Sequence, residues 1–320
     1  MIHLKLQRLK YFPINGLAVI LGITGFVLAV QKAEMILHLP FLMSPYLLQI
    51  SLFFTLIFIV FYFYKIVYHR EQVIEELYHP VKINFYPIIA KLLFIQSIIF
   101  LNINMNISKI LWISGAGLQL FFSVFIVAVW MRKSGLEVHH LNPAWFIPIV
   151  GNVIAPIAGV EHGFIELSWF FFAIGIVMWI VLFVIVFNRI VFHHPLKENL
   201  LPTLFIIFAP PAIAFIAYFK LSGEMDAFAR ILYYISLFLF ILIFAQIGFF
   251  AKIKFYISWW AYTFPVVAFT IATLLIYNVT KYQFFKFLGY FLLIMLVVIM
   301  TIVTVLTVRA VRMKKICIEE

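Results

Sequence analysis

The chain has 320 residues, of which 66% are hydrophobic and 11% are charged. A typical soluble domain is about 45–50% apolar and about 25% charged, so this composition excludes a soluble protein with a charged surface. The net charge of +11 does not indicate nucleic-acid binding, because the basic residues lie between apolar segments, where membrane topology places them. We therefore predict a multi-pass protein of the cell membrane.

Apolar runs of about 20 residues, long enough to cross a bilayer as a helix, follow one another along the whole chain. Ten such spans are predicted, at residues 12–31, 46–68, 86–103, 107–131, 144–160, 163–188, 201–220, 227–251, 255–278 and 282–308. We predict that residues 1–320 form a single all-α transmembrane domain.

Lys and Arg are distributed unequally between the two sides of these spans. Ten spans place both termini on one side, which carries 16 of the 23 Lys and Arg residues. The opposite side carries 6, and Lys91 lies within a span. The positive-inside rule then predicts cytoplasmic N- and C-termini.

Prolines in span interiors occur only in odd-numbered spans. They are Pro148, Pro156, Pro202, Pro210, Pro211 and Pro265. Each interior proline would leave the carbonyl four residues earlier without its donor, which is costly against lipid but tolerated beside protein or water. The odd spans also begin at near-regular intervals. The pattern predicts five helical hairpins in a quasi-fivefold ring, with kinked odd helices inside and straight even helices outside, although bending for packing alone is the alternative.

Few charged residues are available to line such a pathway. No Asp or Glu lies firmly within a span, which disfavours a proton pump or cation channel. Small inorganic or organic anions suit a basic protein with exposed backbone dipoles better. Lys91 is a candidate pore residue, or it extends to the cytoplasmic interface instead.

The remaining pore candidates are polar or conformationally special residues. Asn152 and Gly151 lie between Pro148 and Pro156, and the Asn152 amide could meet an ion or repair the helix. Thr263 and Thr270 are seven residues apart, hence on nearly one helix face. Their hydroxyls either line the pathway or bond to their own backbone.

Phe264 precedes Pro265 and has two interpretations. It is a packing or lipid-facing ring, or a hydrophobic constriction that gates at the kink. No P-loop, dinucleotide fingerprint or nucleophile elbow occurs, so we predict no enzyme activity, no cofactor and no metal site.

Four segments together resemble a known family. They are "EELYHPVKINFYP" (75–87), "NPAWFIPIVGNVIAPIAG" (142–159), "LLPTLFIIFAPPAIAF" (200–215) and "WWAYTFPVVAFTIAT" (259–273). In this order, the four segments resemble segments of the tellurite-resistance/dicarboxylate transporter family. That family includes TehA-like proteins and the plant slow-type anion channels.

This resemblance implies five helical hairpins around a central pore, often in a homotrimer. It implies an anion channel in which a phenylalanine of the ninth helix occludes the pore, and Phe264 best matches that position. A secondary carrier, possibly proton-linked, for C4-dicarboxylates such as malate, sulfite or tellurite-related anions is the alternative. A non-transporting membrane scaffold is a third hypothesis.

Overall fold

The computed structural model describes residues 8–250 and 252–316, and every regular element in these ranges is helical. The α-helices are, in chain order, α1 (Leu17–Leu37), α2 (Ser44–Tyr68), α3 (Arg70–Tyr78), α4 (Ile88–Phe100), α5 (Met105–Arg132), α6 (Phe146–Gly159), α7 (Ile165–Phe192), α8 (Ala209–Ser222), α9 (Ala227–Phe244), α10 (Ile247–Phe250), α11 (Thr263–Thr280) and α12 (Gln283–Arg312). Apart from the short α3 and α10, each helix coincides with one predicted span.

Length and hydropathy identify nine helical segments within the described ranges that could cross a membrane. The fifth predicted span, 144–160, corresponds to a shorter apolar segment, Pro143–Gly159. The prediction of an all-helical integral membrane protein is confirmed. The count of ten spans stays a prediction.

Burial separates the long helices into two groups. In the most apolar windows, 61–78% of residues are buried for the segments that contain α1, α4, α8 and α11, against 22–39% for α2, α5, α7, α9 and α12. In α6, every residue from Phe146 to Pro156 is buried. We refer to α1, α4, α6, α8 and α11 as the inner helices and to α2, α5, α7, α9 and α12 as the outer helices.

The inner helices pack against one another. Helix α1 contacts α4 and α11, α6 contacts α4 and α8, and α8 contacts α11. The outer helices pack onto them, with α5 on α4 and α6, α7 on α6 and α8, and α12 on α11. These contacts explain the burial difference, and the quasi-fivefold symmetry stays a prediction.

Every inner helix is preceded by a 3₁₀ segment, in which hydrogen bonds join residues three apart and the chain winds more tightly. The segments are Ile14–Gly16, Lys82–Phe85, Pro143–Trp145, Glu198–Phe208 and Ile257–Tyr262. The outer helices α2, α5, α7, α9 and α12 have no such segment before them within the described residues. The break expected in the odd spans is therefore a change of helix type near their N-terminal ends.

Four of the six span prolines mark these junctions, which corrects the prediction that they interrupt helix interiors, whereas Pro156 and Pro202 lie inside a helix as predicted. Pro148 and Pro265 are each the third residue of their α-helix, and Pro210 and Pro211 are the second and third residues of α8. The first backbone N–H groups of a helix have no intrahelical acceptor, so proline costs little there. Among the described α-helices, only α6 holds a proline beyond its first turn, at Pro156.

A buried polar cluster holds the backbone that leads into α1. Lys65 of α2 and Glu76 of α3 form an ion pair of 2.8 Å, with side chains 2% and 8% exposed. The Lys65 ammonium also donates to the Phe12 carbonyl at 2.7 Å, and the Tyr62 hydroxyl donates to Glu76 Oε2 at 3.1 Å. The cluster ties α2 and α3 to the backbone that enters α1.

Candidate pathway among the inner helices

Phe264 is the second residue of α11, directly after the 3₁₀ segment Ile257–Tyr262. Its side chain is partly buried, whereas Thr263 and Pro265 on either side of it are buried. The ring is directed at α1, because a Cβ atom added to Gly25 would lie 3.2 Å from Phe264 Cδ2. The structure thus places Phe264 at a helix junction and against a neighbouring inner helix, and its role as a gate stays a prediction.

Two glycines permit this close contact between α1 and α11. A Cβ atom on Gly22 would collide with Thr263 Oγ1 and would lie 2.8 Å from Trp260 Cε3. Gly22 and Gly25 are three residues apart and share one helix face. Sequence analysis did not single out this pair, although the spacing of two glycines on one face was the available signal.

The two predicted threonines donate to backbone carbonyls three and four residues earlier in the chain. Thr263 Oγ1 donates to the Trp260 carbonyl at 2.7 Å, and Thr270 Oγ1 donates to the Val266 carbonyl at 2.7 Å. Both side chains are fully buried. Their hydroxyl protons are therefore engaged in this conformation, as in the backbone-bonding interpretation, and lining the pathway stays a prediction.

Asn152 and Gly151 meet the outer helix α5. The Asn152 amide donates to Ser123 Oγ at 2.9 Å and to the Ile149 carbonyl at 3.0 Å. A Cβ atom on Gly151 would collide with the Gln119 side chain, so only glycine allows Gln119 this close. These contacts hold the Asn152 side chain against α5, and both interpretations of Asn152, as a pathway residue and as a repair of the helix, stay predictions.

Gln119 is a residue that sequence analysis missed. Its side-chain amide donates to the Pro148 carbonyl at 2.7 Å and to Ser123 Oγ at 3.0 Å. Trp112, on the same helix, donates its indole N–H to the Ala155 carbonyl, just before Pro156, at 2.8 Å. An uncharged amide inside an apolar span was the available signal, because such groups need partners in hydrocarbon.

The middles of three inner helices, α6, α8 and α11, are fully buried. All residues from Ile207 to Ala217 and from Pro265 to Leu274 are buried, as are those of α6 up to Pro156. In α1 and α4, by contrast, Ile23 and Ile89 are half-buried.

Lys91 is a buried charged residue of the inner helix α4. It is the fourth residue of α4 and is 3% exposed. It makes no hydrogen bond or ion pair with any described residue. A lysine that extends to the interface would expose its ammonium, so the burial favours an inward position.

Comparison with known proteins identifies the same family as the motifs. The family described as SLAC1, voltage-dependent anion channel, matches residues 11–308. The S-type anion channel SLAH2 of Arabidopsis thaliana is 33% identical over 271 residues, which cover 82% of this chain and 52% of the plant protein. The uncharacterized transporter MJ0762 of Methanocaldococcus jannaschii is 27% identical, covering 88% of this chain and 90% of its own. The tellurite resistance protein TehA homolog of Haemophilus influenzae is also 27% identical, covering 69% and 68%.

The chain spans about half the length of the plant relatives that it matches, since the match covers 52% of SLAH2 and 49% of the guard cell S-type anion channel SLAC1. The family match nevertheless extends from Tyr11, shortly before α1, to Val308, near the end of α12. The resemblance predicted from the four motifs is confirmed, and the chain belongs to the SLAC1 family of voltage-dependent anion channels.

Proposed function

We propose that this protein is an anion channel of the cell membrane, in which small anions move between the inner helices and Phe264 is the gate. The observation that carries the proposal is the position of this ring. It lies at the junction of a 3₁₀ segment with α11, next to the glycine face of α1 and at one end of a buried stretch. A small change at such a junction would move the ring and open the stretch.

The full chain in a planar lipid bilayer provides the test. We expect little anion current from the wild type and a large increase for Phe264→Ala, because the alanine cannot fill the constriction. Phe291→Ala is the matched control, since Phe291 lies on α12 and is 51% exposed. An unchanged, non-conducting Phe264→Ala protein that remains folded would refute the gate.

Lys91 supports the anion preference of the proposed pathway. A buried ammonium without an acidic partner favours a mobile anion nearby over a cation. Exchange of chloride for nitrate, sulfite or malate in the same recordings would establish the substrate. We expect Lys91→Gln to lower the anion-to-cation permeability ratio in the Phe264→Ala background.

The proposed architecture has ten spans, with Pro143–Gly159 as the fifth, inside a quasi-fivefold ring. Both termini are cytoplasmic in this proposal, in agreement with the bias of Lys and Arg. We also propose a homotrimer within the lipid bilayer, which size measurement in detergent tests. The protein would need no enzyme activity, cofactor or metal for this role.

A secondary carrier is the alternative function, and the buried middles of α6, α8 and α11 suit it as well as they suit a shut channel. Its substrates would be C4-dicarboxylates such as malate, sulfite or tellurite-related anions. Saturable exchange in proteoliposomes with obligatory proton movement, and without channel-like currents, would favour the carrier over the channel. Absence of flux for any anion would favour a non-transporting scaffold.

A further inference from the structure

Three inner helices carry rows of side chains with the same spacing of four, three and four residues, which keeps each row on one helix face. The rows are Val19, Ile23, Phe26 and Val30 on α1, Ile89, Leu93, Gln96 and Phe100 on α4, and Phe264, Ala268, Ile271 and Leu275 on α11. All four residues of the α1 row are half-buried, as are the three apolar residues of the α4 row. Phe264 and Leu275 are half-buried at the two ends of the α11 row.

The row on α1 faces the middle of the helix bundle. At about 100° per residue, it lies about 100° from the face of Gly22 and Gly25 and about 130° from Thr24. The two glycines meet α11, and the Thr24 hydroxyl shares a hydrogen bond of 2.8 Å with Ser51 of the outer helix α2. The row is thus turned away from α2, between the inner neighbours α11 and α4.

Gln96 lies on the side of α4 that is turned away from the outer helix α5. Phe94 is the residue that a Cβ atom on Gly115 of α5 would meet at 3.0 Å, and Ser97 Oγ donates to the Ser108 carbonyl of α5 at 2.8 Å. Gln96 is about 160° round the helix from Phe94 and about 100° from Ser97. Because α4 also packs on α1 and α6, its row faces the middle of the bundle, as the row on α1 does.

Gln96 and Phe264 lie at similar depths in the bundle. Helices α1 and α4 run side by side from contacting 3₁₀ segments, and Gln31 Nε2 of α1 donates to the Ile99 carbonyl of α4 at 3.2 Å. Gln96 is therefore level with a point about three residues before Gln31, whereas Phe264 lies against Gly25. At 1.5 Å per residue, Gln96 lies about 5 Å beyond the Phe264 ring along the bundle.

The amide of Gln96 has no partner in this position. The residue is 6% exposed, and its Nε2 is buried without a hydrogen bond. By contrast, Gln119 Nε2 donates to two acceptors. A buried donor left unpaired costs free energy, so Gln96 is not placed here for stability. Its N–H groups need an acceptor, and an anion is one.

We propose that Gln96 is the polar contact for anions in the pathway, and that its amide N–H group donates to an anion just beyond the Phe264 gate. This role rests on the proposed channel function. Every other residue of the three rows is apolar, so Gln96 offers an anion the polar partner that the rest of the rows lack. A hydrogen bond to a charged group changes affinity by about tenfold or more.

Cysteine labelling tests the position of Gln96 without any current. The background is Phe264→Ala with Cys317→Ser, since Cys317 is the single cysteine of the chain. Gln96→Cys is compared with the neighbouring Ser97→Cys, using a small anionic methanethiosulfonate reagent. We expect Gln96→Cys to react at least about tenfold faster, because Ser97 faces the close-packed contact with α5. Equal rates would overturn the proposal.

Bilayer recordings from the Phe264→Ala protein test the anion contact. We expect Gln96→Leu to raise the chloride concentration that gives half-maximal current by about tenfold. Gln246→Leu is the matched control, since Gln246 is exposed and bonds to its own segment, and it should leave this concentration unchanged. Gln96→Leu should unfold at no lower temperature than its parent, because leucine removes an unpaired buried donor. An amide with a structural role would instead lower that temperature when replaced.

The failures of the two proposals are distinguishable. A conducting Gln96→Leu protein with unchanged half-saturation, or one that is less stable than its parent, would overturn the role of Gln96 and leave the channel intact. Absence of anion current from the Phe264→Ala protein would refute the channel function and, with it, the anion contact. Labelling of Gln96→Cys would in that case still report whether residue 96 lines an open space.

Discussion

The inner and outer helices are both apolar enough to cross a bilayer, yet they differ in what their side chains contact. Helix α5 shows the difference within two residues. A Cβ atom on Gly115 would lie 3.0 Å from the Phe94 ring of the inner helix α4, whereas nothing lies within 4 Å of one on Gly117. Hydrophobicity therefore places a helix in the membrane, while small residues and internal hydrogen bonds determine which helices lie inside. The variants below test that distinction, beginning with the largest expected effect.

The Lys65–Glu76 pair is an exception to the comparison, because it buries two charges between α3 and an otherwise exposed outer helix. We expect Glu76→Gln to destabilise the folded protein by about 3–5 kcal/mol, since it removes the buried carboxylate that lies 2.8 Å from the Lys65 ammonium. Unfolding in detergent, followed by tryptophan fluorescence, measures the change. Glu75→Gln is the matched control, because the neighbouring Glu75 is exposed and should change stability little. Equal stability of the two variants would mean that the cluster does not anchor the entry to α1.

Glycine substitutions test the comparison most directly. Gly22→Ala should cost about 1–3 kcal/mol, because its methyl group overlaps Thr263 and the Trp260 ring and forces α1 away from α11. Gly117→Ala should be neutral or stabilising by up to about 1 kcal/mol, because alanine favours the helix and meets open space. Thermal unfolding of the two variants in the same detergent provides the measurement. A similar loss in both would show that the two glycines do not differ in packing.

Gln119 tests whether hydrogen bonds from outer helices hold the broken inner helices. Gln119→Leu removes the donor to the Pro148 carbonyl, and we expect a loss of about 1 kcal/mol in unfolding free energy. The loss stays small because Gln119 Oε1 is buried without a hydrogen-bond partner. Leucine has no such oxygen, so the substitution also removes the free-energy cost of burying it. Gln246→Leu is the control, since Gln246 is exposed and bonds only to its own segment. A Gln119→Leu protein as stable as the control would exclude this support of α6.

Much of the fold could be predicted from the sequence, because the bilayer imposes the length of each apolar run. Predicted span 107–131 corresponds to Met105–Arg132, and 46–68 corresponds to Ser44–Tyr68. The odd-only prolines correctly separated the buried helices from the exposed ones. Span 227–251 was predicted as one helix, but it ends at Phe244 and resumes as α10.

The details of the site were harder to predict, because they depend on where each α-helix begins and on its neighbours. Pro265 looked like a defect in mid-helix, but a shift of a few residues in the start of α11 makes it a first-turn proline. Asn152 looked equally suited to a pathway or to an internal contact, and only the position of Ser123 on α5 decides its bonds. The sequence pattern placed Phe264 beside Pro265, but only the family resemblance made it the candidate gate among the 39 phenylalanines of the chain.

The smallest expected effect concerns the start of the outer helix α9. Asp226 caps α9 by accepting from the Ala229 N–H at 2.9 Å, and it accepts from the Tyr218 hydroxyl at 2.6 Å. Both bonds hold the pKa of Asp226 below its usual value, and the bond from the Ala229 N–H has the larger effect. A lowered pKa stabilises the fold above the unfolded-state pKa, near 4, and this contribution disappears as the pH falls through the folded-state pKa.

The wild type should therefore unfold at a higher temperature than Asp226→Ala at pH 7, and the difference should shrink under strongly acidic conditions. Asp226→Asn keeps a side-chain oxygen that can accept from the Ala229 N–H, so its advantage over alanine should not depend on pH. Thermal unfolding of the three proteins at both pH values distinguishes the two contributions. A wild-type advantage that is the same at both pH values would assign the stabilisation to the oxygen acceptor alone, and the charge of Asp226 would then have no role in starting α9.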